Sequence, residues 1–135
     1  MSVDPRFPQA LLDDEAVAGA RVLTGLAGRP DALVVLGSGL AEALDEAWGA
    51  PVASVPLGEV PGVVAPVADG HGGELRAYET REGVVLVATG RTHLYEGLGH
   101  RPVTALARGA VAAGISRAVL TNANGCLRPW NLGDV

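Results

Sequence analysis

The chain has 135 residues, enough for one domain with a buried core, and 48% of them are apolar. All ten basic side chains are arginine against fifteen Asp and Glu, a net charge of −5 that excludes a basic field for nucleic acid and a P-loop or Schiff-base lysine within these residues. Cys126 is the single cysteine and the three histidines are scattered, which excludes an internal disulfide framework and argues against a zinc site.

No apolar run approaches a membrane span and no leader pattern opens the chain, so a cytoplasmic protein without a membrane partner is expected. Residues 10–26 place Leu12, Ala16, Gly19, Leu23 and Leu26 at three- and four-residue spacing, which predicts an amphipathic helix. Asp13, Asp14 and Glu15 fall in its early turns, where the helix dipole favours acids; a solvated helix start accounts for them better than metal ligation. Gly28-Arg29-Pro30 stops the helix. Residues 32–36 read as a short buried strand that runs into Gly37-Ser38-Gly39-Leu40, with a helix over 41–47 behind it. A strand, a Gly-rich turn and a helix start present backbone N–H groups to an anion, with the Ser38 hydroxyl at the strand's carboxyl end. As a dinucleotide fingerprint the motif fails, because Glu42 stands at the third Gly position. A tight turn needing two glycines explains it as well.

Residues 48–73 contain Pro51, Pro56, Pro61 and Pro66 and no helical period, which predicts a long binding loop or lid. His71 stands near its end, between Gly70 and Gly72-Gly73, as either a surface residue or a ligand-facing one on movable backbone. Residues 75–80 and 84–89, joined by Arg81-Glu82-Gly83, read as a β-hairpin. Its second strand delivers Gly90-Arg91-Thr92-His93-Leu94-Tyr95-Glu96-Gly97. Continued strand alternation would put Arg91, His93 and Tyr95 on one face. A forked cation, a second donor and a hydroxyl at longer reach suit a phosphate joined to a sugar. A polar strand end capped by a Gly turn is the competing reading.

Pro102 opens a helix with Val103, Leu106, Ala107, Ala110 and Val111 on one face, and Gly114 closes it. Residues 118–120 form the next strand, ending in Thr121-Asn122-Ala123-Asn124-Gly125-Cys126. This order of elements predicts an α/β fold with a mixed central β-sheet flanked by helices. The tail Asn131-Leu132-Gly133-Asp134-Val135 reads as the approach to another strand, so a truncated sheet with an open edge is expected.

Leu36-Gly37-Ser38-Gly39-Leu40, Gly70-His71-Gly72-Gly73, Gly90 to Gly97 and Leu120-Thr121-Asn122-Ala123-Asn124-Gly125 occur in that order between Leu33 and Val135. Together they closely resemble the trimeric class of purine nucleoside phosphorylases; each motif is short, but the ordered set is specific. The resemblance implies a nucleoside phosphorylase-like fold of which residues 1–135 are the N-terminal half of a single domain. It implies phosphate held by the Ser38 hydroxyl, the Arg91 guanidinium, His93 and the backbone N–H of Ala123. His71 would belong to a mobile loop over the phosphate, so Arg91, His93 and His71 are the catalytic candidates. Tyr95 would face the ribose hydroxyls, Glu96 would order the phosphate side, and the Ala123-Asn124 backbone would lie beside the base.

The implied reaction is reversible phosphorolysis of a purine (deoxy)ribonucleoside to free base and (deoxy)ribose 1-phosphate, in purine salvage. It needs no metal or organic cofactor, inorganic phosphate being a substrate, and the complete fold would be a homotrimer. Asn124 and Cys126 depart from the small residues of a more common family version; Asn124 bears on the base pocket, and Cys126 reads as a buried small residue. The purine-reading carboxylate and amide belong to the family's other half, and no donor to the leaving purine is recognised here. Two alternatives stay open: a 5′-methylthioadenosine phosphorylase, and a non-catalytic phosphate- or nucleoside-binding fragment.

Overall fold

The computed structural model describes residues 12–37, 39–65, 73–122 and Leu127. Helix α1 (Asp14–Ala27) is capped by Asp13, whose carboxylate accepts the Ala16 N–H at 3.0 Å, and Gly28 ends it at φ +82°. Its buried stripe is Ala16, Gly19, Ala20 and Leu23. The chain then forms β1 (Pro30–Val35), α2 (Ala41–Trp48), β2 (Ala53–Pro56), β3 (Glu74–Thr80), β4 (Gly83–Ala88), α3 (His100–Ala112) and β5 (Arg117–Leu120). Single 3₁₀ turns at Leu57–Glu59 and Leu94–Glu96 complete the described elements.

The sheet order is β2-β3-β4-β1-β5. Strand β1 is parallel to both β4 and β5, with Val35 opposite Ala88 on one side and Leu120 on the other. The hairpin β3–β4 and the pair β2–β3 are antiparallel. The mixed α/β sheet expected from the order of elements is the one observed. Because β1, β4 and β5 run the same way, their carboxyl ends open onto a single edge of the sheet, where such folds gather ligands.

Side-chain alternation splits the core between the two faces. Leu33, Val35, Leu75, Leu86 and Ala88 join α1 and α3 residues in the larger cluster. Val87, Tyr78 and Leu36 form the smaller one, with Val34, Leu44 and Val85 packed against it. Fully buried leucines such as Leu23 and Leu33 contribute about 1.5–3 kcal/mol each by leaving water. Helices α1 and α3 meet through small residues: a Cβ on Gly19 would lie 3.6 Å from Gly109 Cα. On the other face α2 buries none of its residues, and Trp48 meets Tyr78 edge-on with ring centroids 5.3 Å apart.

Two expectations change. The acidic start of α1 is more than a solvated helix end. Asp13 and Glu15 bind Arg108 of α3 at 2.9 and 2.5 Å, and the Arg108 side chain is only 8% exposed. Arg101 adds a further ion pair to Asp13. Packing of α3 against α1 brings these arginines there, which the local sequence around Asp13 does not reveal. The Pro-rich stretch also contains a strand, since β2 pairs with β3 from Ala53↔Ala77 to Pro56↔Glu74. Pro56 is compatible with that position because β2 is an edge strand.

Candidate functional site

Three strand-end segments converge at the carboxyl edge. After β1, the Gly37 N–H donates to the Thr121 hydroxyl at 2.8 Å, while the Thr121 N–H donates to the Val35 carbonyl at 3.0 Å. The two backbones come so close that a Cβ on Gly37 would lie 2.9 Å from Asn122 Cα. Glycine is required here by the close approach.

The third segment follows β4. Leu36 N–H donates to the Ala88 carbonyl at 2.9 Å, fixing the start of the β1 turn on the end of β4. Arg91 then reaches across the edge, and its Nη1 donates to the Thr121 carbonyl at 2.5 Å. One guanidinium thus joins the segments after β4 and β5. A guanidinium carries five N–H donors in a fixed fork, so this bond orients the group and leaves further donors for an anion.

Regular strand alternation does not continue through the arm at 90–97. Strand β4 ends at Ala88, and Leu94–Glu96 form a 3₁₀ turn. That turn is held by the His93 N–H donating to Glu96 Oε1 at 2.7 Å and the Glu96 N–H donating to the His93 carbonyl at 3.1 Å. Tyr95 is 84% exposed, so the expectation that strand pleating aligns it with Arg91 and His93 is corrected. The turn instead stacks its ring on His93, with centroids 4.8 Å apart and planes 12° apart. Glu96 orders the arm locally through the His93 amide.

Beneath the arm lies a cavity of about 270 Å³. Its wall is mainly aliphatic, from Leu57, Val63, Val103, Leu106 and Leu120, and Arg91 and His93 border it. Thr121 is the participant whose role the sequence did not declare: its hydroxyl holds the β1 turn and its carbonyl holds Arg91. A threonine directly behind an apolar strand and before Asn122 was the available signal.

Of the remaining candidate residues, Ser38, His71, Ala123, Asn124 and Cys126 lie outside the described residues. Among the described residues, no group of three or more His, Cys, Asp or Glu side chains is placed to hold a metal ion. No described helix is long and apolar enough to cross a membrane.

No family model matches the chain. Among curated relatives, the purine nucleoside phosphorylase of Mycobacterium tuberculosis is 45% identical over 119 residues, which is 86% of this chain and 44% of the relative. That of a Cellulomonas species is 40% identical over 136 aligned positions, covering 96% of this chain and 48% of the relative. A crystal structure of a purine nucleoside phosphorylase in complex with ribose-1-phosphate superposes with a TM-score of 0.69 at 25% identity, over 87% of this chain and 43% of that one. Isoform 2 of the Schistosoma mansoni enzyme, in complex with cytosine and ribose-1-phosphate, has the same fold, with a TM-score of 0.71 at 21% identity. The chain spans less than half the length of the relatives it matches.

Proposed function

From the kinship of this chain with the purine nucleoside phosphorylases, over less than half of their length, we propose that it forms the phosphate-binding half of such an enzyme. The observation that carries the reading is the convergence of three strand-end segments on the Arg91–Thr121 bond. Arg91 supplies a fixed, permanent cation, and His93 stands two residues along the same arm. Ser38 and the Ala123 amide belong to the other two segments by sequence and join the phosphate contacts on this reading. On this reading His71, in its Gly-rich stretch, is assigned to the phosphate side, Tyr95 to the ribose side, and Ala123 and Asn124 to the base side. On this reading residues 1–135 are the N-terminal half of one domain, in keeping with their covering less than half of each relative.

The chemistry follows from charge. A phosphate oxygen forms a bond to the anomeric carbon as the bond from that carbon to the purine nitrogen breaks, its electron pair leaving with the base. Positive charge grows on the sugar during the exchange, as in other glycosyl transfers. An anion held against the anomeric carbon stabilises that charge and then captures the carbon, so the task of Arg91 and His93 is positioning and electrostatic stabilisation. The departing base takes a proton, from the medium or from a donor on the remainder of the fold. Phosphate is a substrate, and the reaction as written requires no metal or organic cofactor. The complete protein works in the cytoplasm as a homotrimer.

The test is to fuse the chain to the part of the Cellulomonas relative that has no counterpart here, then assay inosine, guanosine and methylthioadenosine. Phosphate-dependent cleavage of inosine or guanosine is expected. Cleavage of methylthioadenosine alone would move the substrate assignment to the methylthio nucleoside. A folded fusion that cleaves none of the three would reduce the chain to a binding module.

A further inference from the structure

Thr92 lies between Arg91 and His93 and borders the same cavity, but it is buried where they are only partly so. It is 5% exposed, and the only other buried polar or charged residue among the described residues is Arg108. Its hydroxyl donates to the Val64 carbonyl at 2.5 Å, a contact between residues 28 apart in sequence. A second grip lies two residues earlier on the same arm. Gly73 packs so closely that a Cβ there would lie 3.1 Å from both the Cα and the N of Gly90. Gly73 is itself held by its carbonyl, which accepts the Leu57 N–H at 2.8 Å. The start of the arm is thus pinned from behind at Gly90 and Thr92, while Arg91 is pinned in front to Thr121.

We propose that Thr92 is a positioning residue, setting the phosphate-facing geometry of Arg91 and His93 through its bond to the Val64 carbonyl; this rests on the phosphate-binding reading above. Thr92 is joined by peptide bonds to both Arg91 and His93, so holding its side chain on the Val64 carbonyl restrains the backbone from which both neighbours project. Without the hydroxyl, the Val64 carbonyl loses a donor in a part-buried setting and the arm loses its rear attachment. A site that acts by geometry is sensitive to such a loss, because displacement of about 1 Å is enough to matter.

The experiment compares the wild-type chain with Thr92→Val, which keeps the shape without the hydroxyl, and Thr92→Ser, which keeps the hydroxyl. Two signals are read by NMR: the ring-current shift that Tyr95 imposes on the His93 ring protons, and the response of those protons to added inorganic phosphate. Urea unfolding confirms that each variant is folded. Thr92→Val is expected to reduce the ring-current shift and to weaken phosphate binding about 3- to 10-fold, while Thr92→Ser retains both signals. An unchanged ring-current shift and affinity in folded Thr92→Val would overturn the role of Thr92, as would failure of Thr92→Ser to restore them. Absence of any phosphate response in the wild type would overturn the phosphate reading instead, and the ring-current arm would still decide whether Thr92 positions His93.

Discussion

Arg91 carries two jobs on one side chain: it closes the strand-end junction through the Thr121 carbonyl, and on the proposed reading it offers its other donors to phosphate. Arg91→Lys retains the charge but not the planar fork, so it cannot hold the carbonyl and an anion in the same geometry. The expected outcome is a loss of phosphate affinity of about 1–2 kcal/mol, measured by calorimetry on a folded sample. Affinity equal to wild type would show that charge alone suffices. Gly37→Ala tests the junction without touching the cation. Its new methyl would press on Asn122 backbone, so a stability loss of about 1–3 kcal/mol is expected in urea unfolding, with weaker phosphate binding. Neither effect would occur if the β1 and β5 turns could separate freely. That Arg91 and His93 stand just behind a strand end was legible in the sequence, because charged and polar groups interrupt an apolar run there. The rear contact of Thr92 was not legible, because its partner is a backbone carbonyl 28 residues away.

At the scale of elements, the ion pairs between α1 and α3 are the feature most sensitive to conditions. The Asp13 carboxyl is held below its ordinary value of 3.8, first by the Ala16 N–H, then by the Arg101 hydrogen bond and the pull of Arg108. A depressed folded-state value gives stability that is present above the unfolded value and is lost as pH falls through the folded one. Asp13→Asn keeps a good helix cap and removes the charge. Its stability deficit against wild type should therefore be full at neutral pH and shrink as pH falls below about 4, as followed by circular dichroism during urea unfolding. A deficit independent of pH would place the effect in the cap alone. Arg108→Met should cost about 2–3 kcal/mol, less than for a fully buried pair, because Asp13 and Glu15 keep 30% and 36% of their side-chain surface exposed. A near-neutral result would mean that the methionine stem replaces the packing and that the paired carboxylates need no partner. The helices, the hairpin and the parallel strands were readable from periodicity and turn residues. Strand β2 was hidden because its four residues, Ala53–Pro56, end on a proline and pair with a segment that follows much later.

At the scale of the whole molecule, β5 is the exposed side of the sheet. All four of its residues are exposed, with Val119 at 56% and Leu120 at 64%, and among the described residues it pairs on one side only. Val119 lies opposite Val34 and Leu120 opposite Val35, so β5 presents apolar groups to both faces of the sheet. A parallel strand of that kind is ordinarily covered on both faces. The overall class was legible because a mixed sheet follows from the order of elements, whereas how much of β5 stays uncovered depends on tertiary packing. The 135-residue chain alone is expected to show little or no inosine phosphorolysis while retaining phosphate binding, and joining it to the unmatched part of a relative should restore turnover. Robust phosphate-dependent turnover by the folded chain alone would sink the half-enzyme reading. The most direct test of the account is calorimetric titration of that chain with inorganic phosphate, in wild type, Arg91→Ala and Arg117→Ala. Saturable binding is expected, which Arg91→Ala weakens by about 1.5–3 kcal/mol and which Arg117→Ala, at the exposed start of β5, leaves unchanged. No saturable binding in the wild type, or equal loss in both variants, would contradict a phosphate site at the convergence of the three strand ends.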